Sequence, residues 1–215
     1  MTATGGSRPS LVGYPANFLV AGRRCVVVGA GRIAARKIQG LLDAEADVLV
    51  VAPEAVDAVR DAAAEGRLRW EAREFVPADL DDAWLAITAT ADAAVNQAVF
   101  DAGEERRVWT NSADDPTNCS FTLMSIVRRG DLVVTVGTNG RSPALATYLR
   151  NHVATEMGPE YETLLEILAE AREAIRSSGR SSEDADWRRA FDSGILDLVK
   201  SGNEAQAREL LRSCL

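Results

Sequence analysis

Short β-branched runs alternate with stretches of helical spacing through the first half of the chain. Residues 23–28, RCVVVG, form a compact apolar run closed by glycine. Behind it Ile33, Lys37 and Leu41, with neighbours Ala34, Ile38 and Leu42, recur at the spacing of one helix face, predicting a helix over 32–44. Further strands are predicted over 47–52, 68–75, 84–89 and 107–111, and helices over 54–65 and 92–105. The strands are unbroken apolar runs rather than in-and-out alternations, as befits a parallel sheet covered on both faces. The pattern predicts an α/β fold whose N-terminal part, residues 11–115, is a doubly wound Rossmann domain.

The rhythm then changes. Residues 119–127, CSFTLMSIV, and 132–138, LVVTVGT, flank Arg128-Arg129-Gly130-Asp131 and predict an antiparallel hairpin. Ser142-Pro143 predicts a helix start, with Ser as N-cap and Pro in the first position. Helices are expected over 143–156, 159–177, 184–200 and 203–213, with a polar loop at 177–184. The expected organisation is a Rossmann domain (11–115), a hairpin and helix (116–150) and a small C-terminal helical domain (151–215). An unpaired hairpin edge seeks a partner, so a homodimer built through 117–150 is expected.

Composition narrows the function. With 215 residues and 47% hydrophobic side chains the chain is not disordered. Its longest uncharged stretch, Pro9–Gly22, contains proline and falls short of the roughly 18 residues a membrane helix needs, so no membrane span is expected. A net charge of −8 argues against general binding to nucleic acid or anionic membranes. Cys25, Cys119 and Cys214 are far apart and form no CxxC pair, so neither a disulfide framework nor a structural zinc site follows, and a cytoplasmic setting is expected. Cys119 reads as a buried small apolar residue, and Trp70, Trp84, Trp109 and Trp187 as core or interface anchors. The opening MTATGGSRPS lacks a basic start and apolar core, and is expected to be a loose tail without an export signal. A single histidine, His152, leaves carboxylate, Tyr, Lys or Cys as the general base. A lone helical histidine reads as a surface or packing residue, and no metal site is predicted.

The most informative short motif is Gly29-Ala30-Gly31-Arg32-Ile33-Ala34, a GxGxxA between a predicted strand and a predicted helix. In that setting Gly29 permits the tight turn, Gly31 lets the backbone approach a pyrophosphate and Ala34 allows close helix–strand packing. The N–H groups of Ala30, Arg32 and Ile33 face the phosphates of a dinucleotide. The acid that usually ends the second strand is missing: Val51-Ala52-Pro53 comes first and Glu54 lies beyond. Glu54 either reaches the adenosine ribose or sits in the first turn of the next helix. No arginine follows immediately to hold a 2′-phosphate, which favours NAD over NADP. Thr88-Ala89-Thr90-Ala91 is small and uncharged, as a cofactor-facing loop should be, and Asp92 also suits the cap of the following helix.

An ordered set of pieces then resembles a known family. Tyr14-Pro15, the run Gly22–Gly31, Ala34-Ala35-Arg36-Lys37, Val50–Pro53, Ala89-Thr90 with Val95-Asn96, Asn111 with Asp114-Asp115-Pro116, Ile126–Gly130 and Gly140–Ala146 follow one another as in the precorrin-2 dehydrogenases of sirohaem synthesis. That family includes the dehydrogenase part of multifunctional sirohaem synthases, and the resemblance covers about residues 11–160. It implies NAD⁺-dependent oxidation of precorrin-2 to sirohydrochlorin on a Rossmann domain, a dimerisation hairpin and a helical domain. Some members also insert ferrous iron, and the residues leave that open.

The resemblance makes Asp114 the base that takes the proton while a hydride leaves for the nicotinamide. It places Pro53, Glu54, Thr88, Thr90 and Asn111 around the cofactor. Precorrin-2 is an anionic tetrapyrrole, and residues 116–152 answer with Arg128, Arg129, Arg141 and Arg150 against one acid, Asp131. Thr138, Asn139, Arg141 and Ser142 are the expected substrate contacts, although arginines at a hairpin tip also serve as solvated charges and Ser142 as a plain N-cap. Met124 stands where the family usually has proline, and Asn139-Gly140 where it has Gly-Gly. A catalytically silent NAD- or tetrapyrrole-binding module, or a dehydrogenase for another reduced substrate, are the alternatives.

Overall fold

The computed structural model describes residues 13–113 and 115–215. The expected N-terminal tail and Asp114 lie outside the described residues. The chain divides into two compact units, one ending at Leu123 and the other spanning Met124–Leu215.

In the first unit, β1 (Arg24–Val28), β2 (Asp47–Val51), β3 (Arg69–Glu71), β4 (Leu85–Thr88) and β5 (Trp109–Ser112) form one sheet in the order β3-β2-β1-β4-β5. All pairings are parallel, with Val27 opposite Val50 on one side and Ile87 on the other. Helices α1 (Arg32–Asp43), α2 (Asp57–Ala64) and α3 (Ala93–Arg106) connect the strands. Successive residues of a strand face opposite sides. Cys25, Val27, Val48, Val50 and Ile87 pack with Ala34, Ile38, Val59 and Ala62. Val26, Val28, Leu49, Val51 and Ala86 pack with Leu80, Val99 and Ala102. Both faces are therefore covered, which is why the strand sequences show no alternation. The strand order reverses between β1 and β4, the place where such sheets bind ligands beyond their carboxyl ends.

Several boundaries differ from expectation for identifiable reasons. The strand expected over 68–75 stops at Glu71, because the Arg73 N–H turns back to the Glu71 carbonyl at 2.9 Å and the Arg73 guanidinium is held by Asp79. Helix α2 begins at Asp57 rather than 54, after a bend at Pro53-Glu54. Residues 119–124 are not strand: Pro116–Asn118 form a 3-10 turn, and the Ser120 N–H then binds the Thr110 carbonyl at 2.8 Å. Trp84 and Trp109 are not core residues. Each is about half exposed, at 56% and 50%, with the Arg23 guanidinium 3.6 Å over the Trp84 ring and the Phe18 ring 6.0 Å from that of Trp109.

In the second unit, β6 (Ser125–Arg129) and β7 (Leu132–Val136) form the antiparallel hairpin, with Ile126 opposite Thr135. Five helices follow: α4 (Pro143–Glu156), α5 (Glu160–Ser177), α6 (Trp187–Asp192), α7 (Ile195–Lys200) and α8 (Glu204–Cys214). Leu164, Ile167, Ala190, Ile195, Val199, Ala207 and Leu211 make its core. The single helix expected over 184–200 is two, because Gly194 adopts a left-handed φ of 84° between them. The Arg129 guanidinium donates to the Ala154 and Met157 carbonyls at 2.9 and 2.8 Å, tying β6 to the carbonyl end of α4. Among the described residues, no helix is long and apolar enough to cross a membrane.

Candidate dinucleotide site

The carboxyl ends of β1, β2, β4 and β5 bring the predicted cofactor residues to one rim of the sheet. Gly29 leaves β1 with φ at 103°, and its N–H reaches the Val51 carbonyl at 3.0 Å. A Cβ on Gly29 would stand 2.7 Å from the Ala89 carbonyl oxygen. The turn and the β4 loop therefore touch through a residue that has to be glycine.

Gly31 answers to something else. It is the N-cap of α1 with an ordinary φ of −80°, and a Cβ placed there would meet nothing within 4 Å. Folding does not require glycine here, whereas a phosphate lying against the backbone does. With no side chain at the cap, the N–H groups of Arg32, Ile33 and Ala34 are left without a capping acceptor. They form an open anion cradle at the positive end of a 12-residue helix, and this is the fit a dinucleotide pyrophosphate needs. The Ala30 carbonyl is occupied, accepting from the Val56 N–H at 3.0 Å, so the turn is anchored to the β2–α2 connection.

The remaining predicted residues take distinct places around this turn. Pro53 and Glu54 lie exposed just past β2, and Glu54 belongs to the bend rather than to α2. Thr88 is wholly buried, its hydroxyl turned to Asn96 Oδ1. Thr90 Oγ1 lies 2.8 Å from that same oxygen. Asp92 caps α3, accepting from the Ala94 and Val95 N–H groups at 2.8 and 3.3 Å. Asn111 is buried, donating to the Phe121 carbonyl at 3.0 Å and accepting from Lys37 Nζ at 3.4 Å. Ser112 Oγ is buried at the end of β5 without a partner among the described residues.

Beyond β5, Asp115 is committed locally. Its carboxylate accepts from the Thr117 N–H at 3.2 Å, the Thr117 hydroxyl at 2.6 Å and Asn118 Nδ2 at 2.9 Å. Cys119 is half-buried rather than fully buried, and its sulfur accepts the Ser112 N–H at 3.2 Å. Burial pushes the Cys119 thiol up despite that bond. Sequence reasoning assigned no role to Asn96 or Lys37. The signals for Asn96 were its place in the Val95-Asn96 piece of the resemblance and a polar residue four positions after the α3 cap.

The predicted substrate residues sit in the second unit. Thr138 Oγ1 accepts the Ser142 N–H at 3.3 Å and lies 3.1 Å from the Ser142 carbonyl, closing a turn that carries Asn139 and Gly140 at φ 50° and 69°. Asparagine tolerates this left-handed conformation better than other non-glycine residues, which accounts for Asn139 in place of glycine. Ser142 Oγ accepts the Leu145 N–H at 3.2 Å as N-cap of α4, and Arg141 is exposed beside it. Arg129 is engaged by the end of α4, Arg128 is exposed, and His152 is exposed on α4.

The model of an NAD(P)-binding family matches residues 17–125, the segment that carries the glycine turn and all five parallel strands. The chain belongs to that family. Its curated relatives include a "Siroheme synthase" of Methylobacillus flagellatus, 40% identical over 90% of this chain and 42% of the relative. Another is "Siroheme synthase 1" of Yersinia enterocolitica, 35% identical over 90% of this chain and 41% of the relative. The chain thus spans about two fifths of the length of these relatives. A solved structure described as "SirC, precorrin-2 dehydrogenase" superimposes with a TM-score of 0.73 at 25% identity, covering 94% of this chain and 98% of that one. The resemblance read from the ordered motifs is therefore borne out, as are the α/β fold and a nicotinamide dinucleotide as cofactor.

Proposed function

We propose that the protein is an NAD-dependent dehydrogenase that oxidises precorrin-2 to sirohydrochlorin. The observation that carries this is the match in fold over nearly the whole of a precorrin-2 dehydrogenase, joined to a glycine turn whose second glycine has open space at its Cβ and an ordinary φ, which supports a ligand lying against it. Bound NAD supplies the hydride acceptor. The protein supplies the cradle at Gly29–Ile33, the Thr88–Thr90 loop and a base for the proton. Asp115 is committed to the turn after β5, which supports Asp114 as that base. The exposed Arg141 beside the α4 N-terminus supports a contact to a substrate carboxylate, with Thr138, Asn139 and Ser142 shaping the turn that presents it.

The proposed assembly is a homodimer through the hairpin region. Ile126 and Val133 lie 46% and 40% exposed on the hairpin, and Leu145 and Tyr148 are 47% and 67% exposed on α4, apolar side chains that support cover by a second copy. Three free cysteines suit a reducing cytoplasm.

The test is to mix the chain with precorrin-2 and NAD⁺ and follow sirohydrochlorin absorbance. Turnover by the wild type, lost in Asp114→Asn with NAD binding retained, supports the assignment. A wild type that binds NAD without oxidising precorrin-2 overturns it. Adding ferrous iron to the product in the same cuvette tests metal insertion separately.

A further inference from the structure

We propose that Asn96 is a positioning residue for the dinucleotide, acting without contact through the Thr88–Thr90 loop. The inference rests on membership of the NAD(P)-binding family and not on the substrate. Asn96 is 7% exposed and Thr88 is fully buried, so neither side chain is presented to a ligand. The Thr88 hydroxyl donates to Asn96 Oδ1, and Thr90 Oγ1 lies 2.8 Å from the same atom. Asn96 Nδ2 donates to the Thr90 carbonyl at 3.2 Å, which fixes the amide with its oxygen toward the two hydroxyls. Polar groups that would be costly to bury alone thus satisfy one another and fasten the end of β4 to the first turn of α3.

The fastening matters because of what lies against it. The Ala89 carbonyl oxygen and Thr90 Cγ2 would stand 2.7 and 3.2 Å from a Cβ on Gly29, so this loop and the glycine turn are in direct contact. Freed from Asn96, the Thr88 hydroxyl loses this acceptor and the Thr90 hydroxyl keeps only its exposed bonds to the Asp92 carbonyl and N–H, so the loop shifts on the side away from the β2 end of the rim. The adenosine half of a dinucleotide lies toward β2, so the β4 loop flanks the opposite half. Losing Asn96 should therefore weaken the whole dinucleotide and spare a ligand that ends at the diphosphate.

Calorimetric titration of NAD and of ADP into the full chain tests this. Asn96→Ala and Thr88→Val are each expected to raise the NAD dissociation constant about tenfold, with ADP changed by less than about twofold. The double variant should lose little more than either single one, and Thr88→Ser, which keeps the hydroxyl, should bind NAD like the wild type. Unchanged NAD affinity in folded Asn96→Ala and Thr88→Val, or ADP affinity falling in step with NAD, overturns the inference. A wild type that binds neither nucleotide overturns the dinucleotide assignment itself.

Discussion

Gly29 and Gly31 are two residues apart, yet different constraints hold them. At Gly29 the fold decides, because φ is 103° and a Cβ would meet the Ala89 carbonyl at 2.7 Å. Gly29→Ala is expected to destabilise the first unit by about 2 kcal/mol or more, read as a lower thermal midpoint. Gly31→Ala, with open space at its Cβ and an ordinary φ, should cost less than about 1 kcal/mol. The GxGxxA pattern made both glycines legible as a pair, but their separate reasons needed the neighbouring loop. Asn96 was legible as a motif residue but its role was not, because a polar residue near a helix start carries no sign of facing the Thr88 and Thr90 hydroxyls. The thiols make a second residue-scale prediction. Burial, reinforced by Asp47, pushes Cys25 up to about 11, and burial raises Cys119 as well. Cys25 is also fully buried, so iodoacetamide should spare it until the protein unfolds, as peptide mapping would show.

At the scale of elements, the sequence announced strands by their apolar runs and helices by their spacing, and failed where tertiary contacts ended an element early. Nothing in residues 68–75 says that Arg73 will turn back to bind Asp79, and nothing in 119–124 says that Ser120 will bind the Thr110 carbonyl instead of extending β6. Gly194 was a readable warning, since a glycine inside a helical pattern often marks its break. The arginines show the opposite difficulty: charge alone marks a substrate contact, a solvated tip and a helix cap alike. Arg129 is the cap of α4. Arg129→Ala should lower the stability of the second unit by about 1–2 kcal/mol in urea melts and leave NAD affinity unchanged.

For the whole molecule, the parallel sheet with two covered faces was legible in the unbroken apolar strands, whereas the proposed assembly rests on exposed side chains of the hairpin and α4. The proposed dimer predicts twice the chain mass in light scattering at micromolar concentration, reduced toward the monomer by Ile126→Glu with Val133→Glu. Acid stability is a further property of the first unit. Burial of Asp79 opposes its charge, but the Arg73 guanidinium, the Val76 N–H and Arg24 outweigh burial and hold the carboxyl below its ordinary value of 3.8. A depressed carboxylate contributes stability that is complete above its unfolded value and is lost as the pH falls through the folded one. Wild type should therefore melt several degrees above Asp79→Asn near neutrality, and the gap should close as the pH falls below about 4.

The proposed nicotinamide dinucleotide lies over Gly31 at the carboxyl rim of the sheet. The most direct measurement is calorimetric titration of NAD into wild-type protein and into Gly31→Ala of matched thermal midpoint. One NAD per chain is expected for the wild type, with at least about tenfold weaker binding for the variant. Equal affinity in the two proteins, or no binding to the wild type, would contradict that placement.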